Sequence, residues 1–300
     1  MRVKSFLKII KLSVLSFGKI KSVGMEVTNK CNLNCLHCFR KNSKSQDLPE
    51  DKWIKVFRSL IKQGTISMAY VGGEPLLRQD LIKIGKKYFP VNMIITNGTI
   101  PLPDWKDVTF GVSVDGTKKY HEKIRGNGFN GKQYDLIKKN ILDGAAKGLK
   151  IYILMTISKE NKDNIEDFYK EWSETEVAGV IYDFYTPQKG EDDTLCLTFS
   201  ERDRVIDKLK TLRLKRPKFM PWNSERILQK MSSRQAGKWI KKCSAKFKTR
   251  LNLNFEGKKL YPCQMGSPDQ KKVTIDCSRC GCMIAYLDVK DTVLAIEMFR

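Results

Sequence analysis

The sequence predicts an α/β fold: a parallel, barrel-like sheet of six strand–helix units, followed by a smaller hairpin-and-helix segment. Three observations carry this. Between residues 22 and 185, short β-branched or alternating runs are separated by stretches with apolar residues at helical spacing. A motif rich in Gly, Asn or Cys directly follows each of the first four strand-like runs. Past residue 200 the pattern changes to basic helices and then to a hairpin bracketed by cysteines.

The chain has 300 residues, enough for one large domain or two, and its 41% apolar content is enough for a full core. No run of about 18 apolar residues occurs, so no helix is predicted to span a membrane. Lysine and arginine number 56 against 33 acidic residues, a net charge of +23. That excess favours an anionic partner: nucleic acid, an acidic membrane surface, an acidic peptide or a phosphorylated small molecule. It is equally compatible with a solvated lysine-rich surface. Nine cysteines fall in two clusters, three at 31–38 and five at 243–282, with Cys196 alone. Clustering at C-x2-C spacing and an odd count point to metal binding in a reducing cytoplasm, away from a disulfide framework. With only two histidines, His37 and His121, chemistry built on a partnered histidine base is disfavoured.

Residues 1–21 interleave Arg2, Lys4, Lys8, Lys11, Lys19 and Lys21 with Val3, Phe6, Leu7, Ile10, Val14 and Phe17 at helical spacing. This basic amphipathic helix is not read as a signal peptide, because Lys11 interrupts the apolar run and no small-residue cleavage site follows. It is expected to pack on its own domain, with contact to a membrane surface as the alternative. Val23, Met25 and Val27 alternate as a first strand. Pro49, Glu50 and Asp51 start a helix whose buried face is Trp53, Ile54, Phe57, Leu60 and Ile61. A second strand carries Ile66, Met68, Tyr70 and Val71, and the helix after it carries Leu81, Ile82 and Tyr88. Met93, Ile94 and Ile95 make the third strand and residues 108–114 the fourth. Residues 132–147 read as a helix, 149–156 as a fifth strand, 161–174 as a helix and 179–185 as a sixth strand. Alternation at this pitch gives parallel strands with right-handed crossovers, whose sites lie past the C-terminal strand ends.

The first strand runs into VTNKCNLNCLHCF, residues 27–39, where Cys31, Cys35 and Cys38 have the spacing C-x3-C-x2-C. An iron–sulfur cubane usually takes four cysteines, so three suggest a position left for a substrate or cofactor. C-x2-C also serves zinc loops. The second strand ends in Gly72, Gly73, Glu74 and Pro75, where glycines let the backbone approach a ligand. The third ends in Thr96, Asn97 and Gly98, and the fourth in Asp115 and Gly116. All four motifs therefore border one mouth of one sheet. GNGFNGKQ at 126–133 matches both G-x-G-x-x-G and the start of a P-loop. No buried strand precedes it, and Gln133 stands where a P-loop needs Ser or Thr, so neither nucleotide site is expected.

The cysteine loop, set just after a strand, resembles the signature of the radical S-adenosylmethionine (SAM) superfamily. The resemblance extends over the chain after residue 22 and implies a partial (β/α)6 barrel. It implies that Cys31, Cys35 and Cys38 hold three irons of a [4Fe–4S] cluster and that SAM chelates the fourth. Electron transfer into the sulfonium then releases a 5′-deoxyadenosyl radical, which abstracts hydrogen from substrate. Gly72, Gly73 and Glu74 resemble the family's GGEP segment at the SAM amino group, with Asn97 nearby. Ser113 and Asp115 resemble its contacts to the SAM ribose and carboxylate. The pattern from Asp115 through His121 to Arg125 and Gly126 implies that Arg125 holds the SAM carboxylate, a task suited to a planar bidentate cation. Phe39 and the bulk around Met155 would flank the adenine, and His37 is expected to be a variable loop residue. A reducing donor such as flavodoxin or ferredoxin is implied as partner.

Residues 201–240 are basic and helical in pattern, with Val205, Ile206, Leu209, Leu212, Ile227, Leu228 and Met231 apolar and Pro217 and Pro221 as breaks. Cys243, a hairpin turning at Gly257, Cys263, and Cys277, Cys280 and Cys282 follow. This resembles the opening of the SPASM or twitch extension, an auxiliary iron–sulfur module of radical SAM enzymes. Five residues separate Gly257 from Cys263 where the family usually has four, and the remaining cysteines of a full SPASM domain are missing. One auxiliary [4Fe–4S] cluster is therefore expected, on Cys243, Cys263 and two of Cys277, Cys280 and Cys282. A structural zinc knuckle would use the same spacing. Cys196 is expected to be a buried thiol.

The expected division is 1–21 as the basic helix, 22–200 as the core barrel and 201–300 as helical linker and auxiliary-cluster domain. The resemblance implies a radical SAM enzyme, with a peptide or protein maturase as first reading and a small-metabolite oxidoreductase, acting on a sugar, nucleotide or lipid precursor, as second. Asp183 and Tyr185, at the end of the sixth strand, are the candidates for catalytic groups at the mouth. The competing class is a non-enzymatic, metal-stabilised nucleic-acid binder, which predicts zinc and steep salt-dependent binding.

Overall fold

The computed structural model describes residues 22–40, 46–126, 132–190, 194–243, 250–269 and 274–287. The basic segment 1–21 and most of the glycine-rich stretch at 126–133 lie outside them. Seven strands form one wholly parallel sheet in the order β6-β5-β4-β3-β2-β1-β7. They are β1 (Ser22–Glu26), β2 (Ser67–Val71), β3 (Val91–Thr96), β4 (Thr109–Ser113), β5 (Lys150–Ile157), β6 (Gly179–Phe184) and β7 (Arg250–Leu253). Helices α1 (Glu50–Lys62), α2 (Gln79–Gly85), α3 (Lys118–Arg125), α4 (Gln133–Ala146) and α5 (Ile165–Ser173) link or follow the first six strands. Helices α6 (Phe199–Lys215), α7 (Glu225–Met231) and α8 (Ser233–Lys241) precede β7. The first six strands are thus the expected strand–helix series, an open partial barrel.

Parallel register sorts each strand into two faces. Met25, Tyr70, Ile94, Phe110 and Ile151 pair across the sheet in one row and are all fully buried. This is the helix-covered side, where Trp53, Phe57 and Leu60 of α1 join the core. Burial of each such side chain is worth about 1.5–3 kcal/mol, enough to fix which face looks outward. The intervening rows, such as Gly24, Ala69, Met93, Thr109 and Lys150, line the concave inner face. There Gly24 leaves room that a side chain would take: a Cβ on it would sit 2.4 Å from Gln264 Oε1 and 2.8 Å from Asn252 Oδ1.

The expected helix 161–174 begins only at Ile165. The preceding turn is held instead by Asn161, whose side chain accepts from Ser158 N and donates to the carbonyls of Asp115 and Thr156. Asparagine competes with helix in this way. The hairpin around Gly257 exists in reduced form, with Leu253 bridged to Lys259 and Leu260 N donating to Asn252 O at 2.8 Å. Its first arm, however, is β7, a parallel neighbour of β1 and so a seventh strand of the main sheet. The stretch past residue 200 shares one continuous buried core with the barrel, from Val23 to Tyr286. Among the described residues no helix is long and apolar enough to cross a membrane.

Strand β6 ends the sheet, and an exposed sheet edge needs cover. Asn223 supplies some: its Oδ1 accepts from Tyr182 N at 2.8 Å and its Nδ2 donates to Tyr182 O at 2.9 Å, in full burial. The side-chain amide thereby imitates a neighbouring strand for one residue. Asn223→Ala should cost about 2–3 kcal/mol, because two buried backbone groups lose their partners. Urea unfolding followed by circular dichroism should show the lowered midpoint, and an unchanged midpoint would refute this role.

Candidate active site

The cysteine loop has little regular structure and is held from outside. Gly73 N donates to Thr28 O at 2.9 Å and Glu74 N to Lys30 O at 2.8 Å, so the end of β2 is stitched to the loop. Asp47 accepts from Thr28 Oγ1 and Asn29 N. Leu36 N donates to Ile124 O of α3 at 2.8 Å. The approach at Gly73 is close enough to require glycine: a Cβ there would lie 2.1 Å from Lys30 O.

Glu74 is fully buried and accepts three hydrogen bonds, from Leu76 N, Thr96 Oγ1 and Asn97 N, which ties the ends of β2 and β3 together. Burial pushes its carboxyl up in pKa, and these donors work against that. Its observed work is therefore structural. Asn97 stands where the motif reading expects it, next to the loop, donating to Asn32 Oδ1 at 2.9 Å and lying 3.9 Å from Cys31 Sγ. Ser113 lies on the inner face, opposite Leu154.

Arg125, expected to face a carboxylate, already has one. Its Nε donates to Asp115 Oδ2 at 2.5 Å, and Asp115 has no exposed surface. Burial disfavours both charges, yet each outweighs that cost for the other: Asp115 is held below the usual carboxylate range and Arg125 is pushed up. His37, expected to be incidental, lies 3.3 Å from Arg125 Nη2 and 3.6 Å from Asp115 Oδ2. Burial lowers its pKa to about 4, so it is a neutral imidazole there. His121 accepts from Asp115 N, and burial lowers it to about 3. The D-G-x4-H-x3-R-G pattern thus folds into one buried unit against the cysteine loop.

The three thiols neighbour one another: Cys35 feels the charge of Cys38 and Cys31, and Cys31 that of Cys38. Burial raises Cys31 and pushes Cys35 up to about 11, while the Arg125 charge lowers Cys35. Among the described residues no three His, Cys, Asp or Glu side chains are placed to hold a metal ion. A cubane asks for less convergence, since each thiolate binds a different iron and the sulfurs stand around the cluster. An anionic cluster would also find the Arg125 cation beside it, so the residues present fit the group.

Two further expectations separate. Phe39 lies under the Arg40 guanidinium, 5.1 Å from ring centroid to Cζ. Met155 is buried on the helix-covered face, in step with Ile151 and Ile153, and pairs with the buried Tyr182. Period-two alternation turns Leu154 and Thr156, and not Met155, to the inner face.

The five C-terminal cysteines, Cys243, Cys263, Cys277, Cys280 and Cys282, line one cavity of about 620 Å³, counted out to its open mouth. The Cys277–Arg279 turn is clamped by Arg202, which lies between the rings of Phe184 and Phe199 and donates to the carbonyls of Cys280 and Arg279, each at 3.0 Å. Phe184 N donates to Gly281 O, which brings the cavity against the end of β6. There Asp183, on the inner face, accepts from Met283 N at 2.6 Å, and burial pushes its carboxyl up to about 6. Tyr185 N donates to Ile157 O beside it. Nothing in the residue pattern marked Arg202, Asn161 or His37, because each acts through backbone groups or across more than 40 residues of chain.

A three-cysteine loop at the C-terminal mouth of an open parallel barrel defines a class of iron–sulfur enzyme site. Residues 25–171 match the model of the radical SAM superfamily. Those residues, which run from β1 into α5, form a radical SAM domain, and the family's cofactors are a [4Fe–4S] cluster and SAM. The chain is 26% identical over 164 residues to the sporulation killing factor maturation protein SkfB of Bacillus subtilis, covering 49% of this chain and 38% of SkfB. It is 28% identical over 184 residues to a cysteine-type anaerobic sulfatase-maturating enzyme of Clostridium novyi, covering 50% of this chain and 48% of that one. The chain thus spans less than half the length of these relatives. Its fold is similar to that of Streptococcus suis SuiB bound to precursor peptide SuiA, at TM-score 0.65 and 16% identity, covering 96% of this chain and 69% of SuiB. It is similar also to anSMEcpe with bound AdoMet and Cp18Cys peptide, at TM-score 0.66 and 16% identity, covering 93% and 83%.

Gly73→Ala should displace the cysteine loop and cost the first cluster about four irons per chain after anaerobic reconstitution, with the far-ultraviolet circular dichroism unchanged. Full iron retention would show that the loop tolerates the side chain.

Proposed function

We propose that the chain is a radical SAM maturase acting on a peptide or protein, with one auxiliary [4Fe–4S] cluster on Cys243, Cys263 and two of Cys277, Cys280 and Cys282. The observation that carries this reading is the placement of two cysteine sites on one barrel, the second against the end of β6 beside Asp183. When bound, the first cluster and SAM supply the 5′-deoxyadenosyl radical that abstracts hydrogen. In this reading Cys31, Cys35 and Cys38 are the protein ligands of that cluster. Gly72 and Gly73 would offer backbone to the SAM ammonium, Ser113 would serve its ribose, and Phe39 would flank its adenine. Arg125, locked by Asp115, would supply positive charge to the thiolates and to the SAM carboxylate. Asp183 would take the proton that a substrate radical releases on oxidation, and Tyr185, two residues on, is the other candidate. The printed names of SkfB, SuiB and the sulfatase-maturating enzyme support a peptide substrate.

A small-metabolite substrate is the second reading, favoured by the relatives named as nucleotide dehydratase and GTP 3′,8-cyclase. Flavodoxin or ferredoxin would deliver electrons, and the basic segment 1–21 is the natural place for contact with an anionic membrane surface.

Anaerobic reconstitution should load about eight irons per chain, as two cubanes require. The dithionite-reduced protein should convert SAM to 5′-deoxyadenosine, and a Cys31/Cys35/Cys38→Ala triple variant should not. Deoxyadenosine from that variant would remove the first loop from the proposal, and zinc in the C-terminal site would remove the auxiliary cluster.

A further inference from the structure

The cavity shared by the five C-terminal cysteines also contains a cation. Arg250 opens β7, and its register with Ser22 turns it to the concave side of the sheet, where it lines the cavity with the thiols. Arg250 differs from Arg202 in what it touches. Arg202 is consumed by carbonyl oxygens and aromatic rings of the clamp. Among the described residues no carboxylate pairs with Arg250, and its electrostatic neighbours are the sulfurs of Cys282, Cys243 and Cys263.

Arg250 is half-buried, and a guanidinium turned into a cavity without a carboxylate partner is unfavourably placed. Metal coordination deprotonates a thiol, so ligation by the cysteines that line the same cavity would put anionic sulfurs beside this cation. The cavity is therefore arranged for a net negative occupant next to a fixed positive charge.

We propose that Arg250 is the charge-compensating residue of the auxiliary cluster, whose guanidinium stabilises the anionic iron–thiolate assembly and raises its reduction potential. The inference rests on the reading that this cavity holds a [4Fe–4S] cluster. Reduction adds one more negative charge at the cluster, and a nearby cation in a partly desolvated cavity favours that state. A raised potential is what a site needs if it is to accept the electron left on substrate after hydrogen abstraction and proton loss. Arg250 is a positioning residue in this scheme, since it acts through the cluster.

The test uses the full-length protein carrying Cys31, Cys35 and Cys38→Ala, so that only the auxiliary cluster contributes a signal. Iron content and an anaerobic redox titration followed by electron paramagnetic resonance are compared for Arg250, Arg250→Lys and Arg250→Met. The expected result is a midpoint shifted to more negative potential in Arg250→Met and largely restored in Arg250→Lys, with about four irons retained. Loss of those irons from Arg250→Met alone, with its circular dichroism unchanged and Arg250→Lys still loaded, is the same effect in stronger form. If the parent binds about four irons and Arg250→Met keeps both iron and midpoint, the inference about Arg250 is overturned and the auxiliary cluster stands. If the parent binds no iron, the auxiliary-cluster reading fails and takes this inference with it.

Discussion

The site depends on a short stitch between backbone groups: Gly73 N to Thr28 O and Glu74 N to Lys30 O. A loop with three cysteines has no ladder of its own, and its thiols are useful only if they stay within reach of one another. β1 and β2 are already paired up to Glu26 and Val71, and Val27 N continues that pairing to Val71 O. The two bonds from the GGEP turn carry it further, into the loop. Side chains at Gly73 are excluded by the same proximity, at 2.1 Å from Lys30 O. Glu74 then anchors the turn to β3 with three hydrogen bonds in full burial. Each neutral hydrogen bond is worth only about 1 kcal/mol net, but an unmade buried one costs more, which makes the arrangement all or none.

Asp115 and Arg125 do for the far side of the loop what Glu74 does for the near side. A buried ion pair seldom adds net stability, because desolvating two charges consumes the Coulombic gain. Its value here is geometric. Asp115 Oδ1 accepts from Thr156 N while Oδ2 accepts from Arg125, so a strand end and a helix end meet at one carboxylate. Arg125 then stands next to His37 and the thiols with its orientation set, and its charge lowers Cys35 against the effect of burial. Pre-set charge of this kind needs no rearrangement when an anionic group enters.

What was legible in the sequence follows from locality. Strand and helix periods are local properties, so the first six strands and their crossovers could be read directly. The cysteine loop, Gly73, Asn97 and the Asp115–Arg125 stretch were legible because their spacing is local too. Met155 was misplaced by one step of the strand period: the bulk was real, but the face was set by Tyr182 and the helices behind it. β7 was read as a hairpin arm because alternation reports a strand and not its neighbour; its pairing with β1 spans more than 220 residues. Arg202, Asn223 and Arg250 carry no local signature, since their roles exist only once distant backbone or thiol groups are brought to them.

The two cysteine sites are not independent pieces of the fold. Glu26 is the last residue of β1, on the inner face just before the first loop, and only 2% exposed. It accepts from Arg40, two residues past Cys38, at 2.5 Å, and from Gln264, one residue past Cys263, at 3.1 Å. Arg40 also donates to Gln264 O at 2.9 Å, which closes a triangle between the two loops. Burial raises the Glu26 carboxyl and the Arg40 charge opposes it, so the carboxylate draws its partners from both loops. Removing one partner of such a pair costs about 3–5 kcal/mol, far more than the intact pair contributes. A displacement of either cysteine loop is therefore felt at the other through one buried carboxylate. That makes the seventh strand and its cysteines part of the architecture of the first site, as the pairing of β7 on β1 already requires.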